Sequence, residues 1–452
     1  MDSATPGHLT TPGRWIERLE TPVDSASLAV FRIVFGLGMA IDAWRYLAYG
    51  WVDVLYIQPL LHFHYFGFEW IEPWPGGGMR WHFWAISILA LLVAAGRFYH
   101  VASLLLFCAY LYVFLLDQVA YMNHHYLMLL ISFLLACMPP PALGSFGGRA
   151  APALGGHARP TLVPQWTIWV LRFQLVLVYA YGALAKLDPD WLRGEPMRST
   201  LERSAADYPA IVTVLGSTLV AHAVAYLGVL ADLMIPVCLL FRRTRWLGLA
   251  IAIVFHGANA LALNIGVFSY LMLAMLPIFF EPDWPRRLFG AKESALAPPR
   301  RTAPLLLALL HVYVAAQILM PLRHWLFPGP VRWTEEGHRF AWRMMLRTKR
   351  SQIMVHVTDP TTGRRWEINP ANDLTSVQLR ELEVHPDLVL QYVHFHRDRL
   401  RTEGIDNAEI RVDWMCSLNG RPHQPLADPT VDLAKVGRSL RPASWLLPLR
   451  DR

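Results

Sequence analysis

Apolar residues along this chain come in long blocks, most of them close to the roughly twenty residues that cross a bilayer as a helix. Nine blocks predict membrane helices, at 27–49, 81–96, 99–117, 124–141, 165–187, 219–241, 244–263, 266–280 and 302–326. Beyond Phe327 the pattern changes. SQIMVHVTDPTTGRRWEINP alternates apolar and polar positions around a turn signal, which predicts a β-hairpin. His385–Arg401 has helical spacing, and AEIRVDWMCSLNGRPHQPL predicts a second hairpin around Asn419-Gly420. The expected fold is a polytopic α-helical membrane protein followed by a small α+β, strand-rich extracytoplasmic domain. Its expected parts are an N-terminal segment over 1–26, with RWIERLE as a short interfacial helix, a transmembrane region over 27–326, and a domain over 327–452 packed on the outer membrane face.

Charge between the blocks orients them. Arg97 and His100, then Arg149 and Arg159, then Arg242, Arg243 and Arg245, then Arg286, Arg287, Lys292, Arg300 and Arg301 fall on one side. The other side holds 50–80, with Asp53, Glu69 and Glu72, and the charge-balanced loop 188–218. The positive-inside rule then makes the N-terminus cytoplasmic and everything after Phe327 external.

Composition agrees with this reading and narrows it. Of 452 residues, 54% are hydrophobic and only 17% charged. A net charge of +7 would suit a nucleic-acid partner, but the basic residues lie largely in short loops, where they set topology instead. No nucleic-acid partner is expected. Cys108, Cys137, Cys238 and Cys416 are scattered, without CxxC or zinc-finger spacing, so neither a disulfide framework nor a metal is expected. No secretory signal peptide is read in the polar, Pro-containing start.

The chemistry gathers at one depth. Lys186 ends the block 165–187 and is followed by Asp188, Asp190 and Trp191. Such a lysine either snorkels to headgroups or, held out of water, surrenders its proton and acts as a base. Alternation of the blocks brings Asn123, His124, His256, Asn259 and Asn264 to the same outer level. Asn123 reads either as a helix N-cap or as a ligand contact. Adjacent His124 and His125 point to different helix faces, so they do not form a chelating pair, whereas His256 and Asn259 share one. Met344 and Met345 pack or line an apolar pocket. His62 and His64 carry no assigned role. The residues thus describe an apolar pocket with one base and several neutral hydrogen-bonding groups, suited to a hydroxyl-bearing lipophilic ligand such as a quinol.

At these residues the chain resembles the vitamin K-dependent γ-glutamyl carboxylase family. The segments are TPVDSASLAVFRIVFG at 21–36, YVFLLDQVAYMNHHYLMLL at 112–130, LRFQLVLVYAYGALAKLDPDWLRGEPM at 171–197, FHGANALALNIGVFSYLMLAMLPIFFEPDWPRRL at 255–288, PLRHWLFPGP at 321–330 and AWRMM at 341–345, continuing through 351–448. The resemblance implies a membrane enzyme that uses vitamin K hydroquinone, O2 and CO2 to convert glutamate in a peptide or protein to γ-carboxyglutamate, the quinol becoming its epoxide. It implies that Lys186 is the catalytic base and His124 its catalytic neighbour. Asn123, His256, Asn259, Met344 and Met345 would contact the quinol, and Trp342 the peptide glutamate; Arg343 and Arg347, which do not match the family's pattern, are expected at the same place because they suit an anionic substrate. No metal is implied.

There are departures from the animal pattern. Arg343 and Arg347 stand where it has an acidic residue and a histidine, and Ala185 where it has a lysine. The chain is also shorter than the animal enzymes, which puts recognition of a propeptide in doubt. Compact length and an Ala/Arg-rich composition point to a bacterial inner membrane, with the active site facing the periplasm. Two rival readings stay open: a quinol epoxidase that carboxylates no peptide, and a non-enzymatic protein that binds a quinone or membrane lipid.

Overall fold

The computed structural model describes residues 12–141, 162–204, 216–262, 266–289, 299 and 301–450. Each of the nine apolar blocks contains a helix. Six of these helices are long and apolar enough to cross a membrane: Ala26–Ala48, Gly78–Ala95, Tyr99–Leu116, Trp166–Lys186, Thr218–Leu240 and Pro304–Leu326, the last including a terminal 3₁₀ turn. Asn123–Cys137, Arg245–Leu261 and Phe268–Phe279 are shorter apolar helices.

The shortened ends have a local cause. Asn123–Cys137 stops ahead of Pro139, Pro140 and Pro141, short of the expected residue 141, because proline disfavours helix in the residue before it and lacks an N–H. Phe268–Met275 passes into a 3₁₀ turn over Leu276–Phe279 at Pro277, and Pro304–Leu319 into another over Met320–Leu326 at Pro321. Leu91, Val101, Leu104, Leu230 and Leu309 are exposed apolar residues, as lipid-facing positions are. RWIERLE, all but its last residue, lies in a helix, Pro12–Leu19, which leaves Trp15 and Ile16 exposed.

Two short strands, β1 (Pro22–Asp24) and β2 (Leu162–Pro164), pair with each other in the membrane part. The C-terminal region is built on four further strands, β3 (Lys349–Thr358), β4 (Arg365–Ile368), β5 (Glu409–Leu418) and β6 (Gln424–Pro425), which form an antiparallel sheet in the order β4-β3-β5-β6. Both expected hairpins form. β3 and β5 pair along their whole length, from Lys349↔Leu418 to Thr358↔Glu409. The β5–β6 turn uses left-handed Asn419 (φ 50) and Gly420 (φ 77), the conformation an Asn-Gly pair tolerates best. Ile410, Val412, Trp414 and Cys416 alternate inward on β5 and pack with Leu388, Val389, Tyr392 and Val393 of the helix Pro386–Thr402. That helix begins one residue after the expected start.

The membrane part contributes to this second core, through Phe63 and Val119. Polar contacts reinforce the join. The His64 N–H donates to Gln391 Oε1 (2.9 Å), Gln378 Nε2 donates to the Leu61 carbonyl (2.6 Å), and Arg438 donates to Glu69 and to the His64 carbonyl. His62, for its part, meets Asp117 at 3.2 Å.

A second clasp sits just after Lys186. Asp190, in the short helix Pro189–Leu192, accepts from Asn419 (3.0 Å) and from both Nη atoms of Arg421 (2.7 and 2.8 Å), and also pairs with Arg193 and Arg332. Burial alone would raise its pKa, but the bonds from Arg421, Asn419 and Arg193, with the charge of Arg332, outweigh it and hold the carboxyl well below the usual range. A carboxylate depressed in the folded state contributes stability in full above its unfolded pKa of about 3.9, and loses it as pH falls further. Thermal melts of the wild type should therefore decline more steeply below about pH 4 than those of Asp190→Asn, whose curve lacks that component. Parallel curves below about pH 4 would remove Asp190 from the acid sensitivity.

Candidate functional site

A cavity of about 1610 Å³ opens where the outer helix ends meet the C-terminal domain. It is large for one small-molecule site, which typically measures roughly 300–1,000 Å³. Its wall contains Asn123, His124, Lys186, His256, Asn259, Arg343, Met344, Met345 and Arg347, drawn from three helices and the segment after 335. Trp342 is the one sequence-selected residue among the described set that does not line it. Trp342 is fully buried, with its ring 5.0 Å from that of Tyr126. Asn264 lies outside the described residues.

Lys186 closes the helix Trp166–Lys186 and is 8% exposed, so its head is held inside the protein rather than at headgroups. Its ammonium pairs with Asp232 and lies 5.4 Å from the Trp191 ring centroid and 5.6 Å from that of Phe255. Asp232 comes from the helix Thr218–Leu240, where it is itself buried. Four residues beyond it is Pro236, which has no N–H to return to the Asp232 carbonyl. Gly182, one turn before Lys186, makes room for the pair. A Cβ there would stand 3.1 Å from Asp232 Oδ2 and 3.7 Å from Met344 Cε.

Neutral groups face this pair. Tyr179, on the same helix face as Lys186, hydrogen-bonds His256 Nε2 at 2.7 Å, which leaves the buried His256 Nδ1 without a partner among the described residues. Asn259 follows one turn later. Across the cavity, Met122 rather than Asn123 is the N-cap of Asn123–Cys137, and the Asn123 side chain accepts from Tyr121 OH (3.3 Å). His124 is half-buried, its ring 4.3 Å from that of His125. Both residues line the cavity. His125 donates from Nδ1 to the Ala120 carbonyl (3.1 Å), which frees Nε2 to accept from Tyr46 OH (3.3 Å), with Asp42 at 3.9 Å.

The roof is strained. Phe340, Trp342 and Met345 all adopt left-handed backbone conformations, with φ of 62, 55 and 57, a costly arrangement for bulky residues. Two anchors hold it: Trp342 against Tyr126, and the Phe340 N–H donating to Tyr121 OH (2.7 Å). The strained segment turns Arg343, Met344 and Met345 toward the cavity. Arg347 lines it too and pairs with Glu335. Burial lowers the Arg343 pKa, opposed by the charges of Asp188 and Glu335.

Sequence reasoning passed over Asp232, Asp42 and Glu335. For the first two a signal existed: each is the only acid inside its long apolar block, and an isolated intramembrane acid is a functional candidate by default. Glu335 had none, since it sits in a polar stretch with Glu336 beside it.

Two family descriptions match this chain. The HTTM domain matches residues 20–284, and the vitamin K-dependent gamma-carboxylase lumenal domain matches residues 302–452. No solved structure was found to match. Apolar helices make this a membrane protein, and the lumenal match puts its C-terminal region on the non-cytoplasmic side.

Proposed function

Because the chain belongs to the vitamin K-dependent γ-glutamyl carboxylase family, we propose that it oxygenates vitamin K hydroquinone to the epoxide and couples this to carboxylation of glutamate in a peptide. The observation that carries the reading is the buried Lys186–Asp232 pair inside a largely apolar cavity at the outer ends of the helices.

The residues fit a quinol. Leu227, Leu230, Met234 and Val254 line the cavity and are exposed as well, which supports a side opening through which an isoprenoid-bearing ring enters from lipid. The unpartnered His256 Nδ1 offers a hydrogen-bonding atom for one ring oxygen, and Asn259 and Asn123 offer others. When bound, the quinol together with O2 supplies a base stronger than any side chain, as a glutamate γ-proton requires, and CO2 is then fixed.

The protein's own contribution is proton handling and shape. With one proton moved from Nζ to Oδ2, Lys186 presents a free amine that takes a hydroxyl proton; Asp232, now neutral, keeps the proton it received, and the re-formed ammonium is balanced by the oxyanion left on the ring. His124, beside His125, presents an imidazole on the opposite wall. The apolar lining excludes water that would quench a strong base. Arg343 and Arg347, at the roof, suit the carboxylate of the entering glutamate, and the arginine fork binds carboxylates in a fixed orientation. The volume beyond a single small-molecule site accommodates ring and peptide side chain together.

The decisive assay supplies purified full-length protein with vitamin K hydroquinone, O2, labelled bicarbonate and a glutamate-containing peptide. The expected result is epoxide and acid-stable label in the peptide. Epoxide with no fixed label would replace this reading with a quinol epoxidase; neither product would leave a quinone- or lipid-binding protein.

A further inference from the structure

Away from the cavity's apolar wall, two histidines of the C-terminal region meet in an arrangement that the carboxylase reading does not use. His338 Nδ1 lies 2.6 Å from the Glu335 backbone carbonyl, and His385 Nδ1 lies 3.0 Å from the Glu381 backbone carbonyl. A carbonyl oxygen only accepts, so each Nδ1 carries the hydrogen and donates. Both Nε2 atoms are then left as lone pairs, and these face one another at 3.1 Å, with Arg347 Nη2 3.5 Å from that of His385. At 3.5 Å the guanidinium makes a weak hydrogen bond at best, so two acceptors this close still need something positive between them.

A metal ion meets that need. Two imidazoles bound to one tetrahedral zinc-like ion through bonds of about 2.0–2.1 Å stand roughly 3.3 Å apart, close to the spacing seen here. A third ligand is at hand: one carboxylate oxygen of Glu335 and one ring nitrogen of each histidine all lie within 4.8 Å of one another. The Glu335 carboxylate is held in place beside the two rings. Arg347 and Lys349 (3.1 Å) both bind Oε1, while Oε2 is the oxygen on the His338 side, 3.8 Å from Nδ1. Partners that fix ligand orientation in this way are the usual second shell of a metal. Local charge is near balance, with Glu335, Glu381 and Asp387 against Arg339, Arg347 and Lys349, all of them interacting within the cluster.

We propose that Glu335, His338 and His385 form a binding site for one divalent transition-metal ion of the zinc class, with a fourth position open to water. The site would tie the strained segment that carries Arg343–Arg347 to the start of the helix Pro386–Thr402, and so steady the cavity roof. It escapes motif reading because its ligands are separated by three and then forty-seven positions, and the two histidines meet only when that helix docks.

The test uses the untagged full-length chain in detergent, stripped with a chelator and then equilibrated with Zn2+ alone. Retention of one equivalent of zinc beyond that held by the His338→Gln/His385→Gln double variant is expected. Equal retention by the two proteins overturns the site. If the double variant does not fold, Co2+ loaded into the stripped wild type decides instead. Visible absorption bands of a tetrahedral ion, erased by added Zn2+, support the site. A featureless spectrum leaves a proton as the bridge between the two imidazoles and sinks the proposal.

Discussion

Replacing Lys186 by alanine should lower epoxide formation and label fixation together, by roughly 10²–10⁴-fold, the range that a positioned acid–base group contributes. Both products fall because proton removal from the quinol precedes both. Lys186→Arg makes the test sharper. A guanidinium can keep an ion pair with Asp232 yet does not release its proton at any accessible pH. If Lys186 only braces the bundle, the arginine variant recovers activity; if its amine is the base, the arginine variant stays as inactive as alanine. Rates need normalising to folded protein, because either substitution disturbs a buried pair. Substantial epoxide formation by Lys186→Arg would end the assignment.

Asp232→Ala should carry the largest cost in stability, about 3–5 kcal/mol, because it strands a buried ammonium without its counter-charge. Trp191 and Phe255 beside Nζ compensate only in part, since a cation–π contact is worth about 0.5–2 kcal/mol. The double substitution Lys186→Met/Asp232→Leu removes both charges while keeping apolar bulk, and should recover most of the loss even though it abolishes activity. Thermal or denaturant melts of the wild type, Lys186→Met, Asp232→Leu and the double variant in one detergent form the cycle. Additive losses in the double variant would mean that the two residues do not act as a pair.

These expectations draw on different levels of the molecule. Lys186 was legible because a charge at the end of an apolar block is conspicuous, and the ordered family resemblance gave it a role. Asp232 was equally conspicuous, alone in 219–241, and was passed over because its partner lies 46 positions away on another helix. The end of the fourth block was misjudged where proline intervened, at 139–141, since hydropathy measures burial in lipid and not the availability of an N–H; at Pro277 and Pro321 the helix only tightens to 3₁₀ and still reaches Phe279 and Leu326, close to the expected ends. Asn123 looked like a cap because asparagine caps well; in the structure Tyr121 turns its side chain to other use. Trp342 sat among residues that line the cavity and was grouped with them, but its left-handed backbone turns it into the packed interior against Tyr126.

By itself, the sequence determined the nine apolar blocks, the two hairpins and helix of the C-terminal region, the family, and the common depth of Lys186, His124, His256 and Asn259. Those properties follow from residue order: hydrophobic length, alternation, turn chemistry and loop charge are local, and topology converts them into depth. Tertiary structure alone decided which side chains meet at that depth. The pairing of Lys186 with Asp232, the contact of Tyr179 with His256, the strained roof and the facing imidazoles of His338 and His385 all depend on how helices rotate and dock. A rotation of one residue about a helix axis, roughly 100°, changes every such partnership while leaving the hydropathy pattern unchanged.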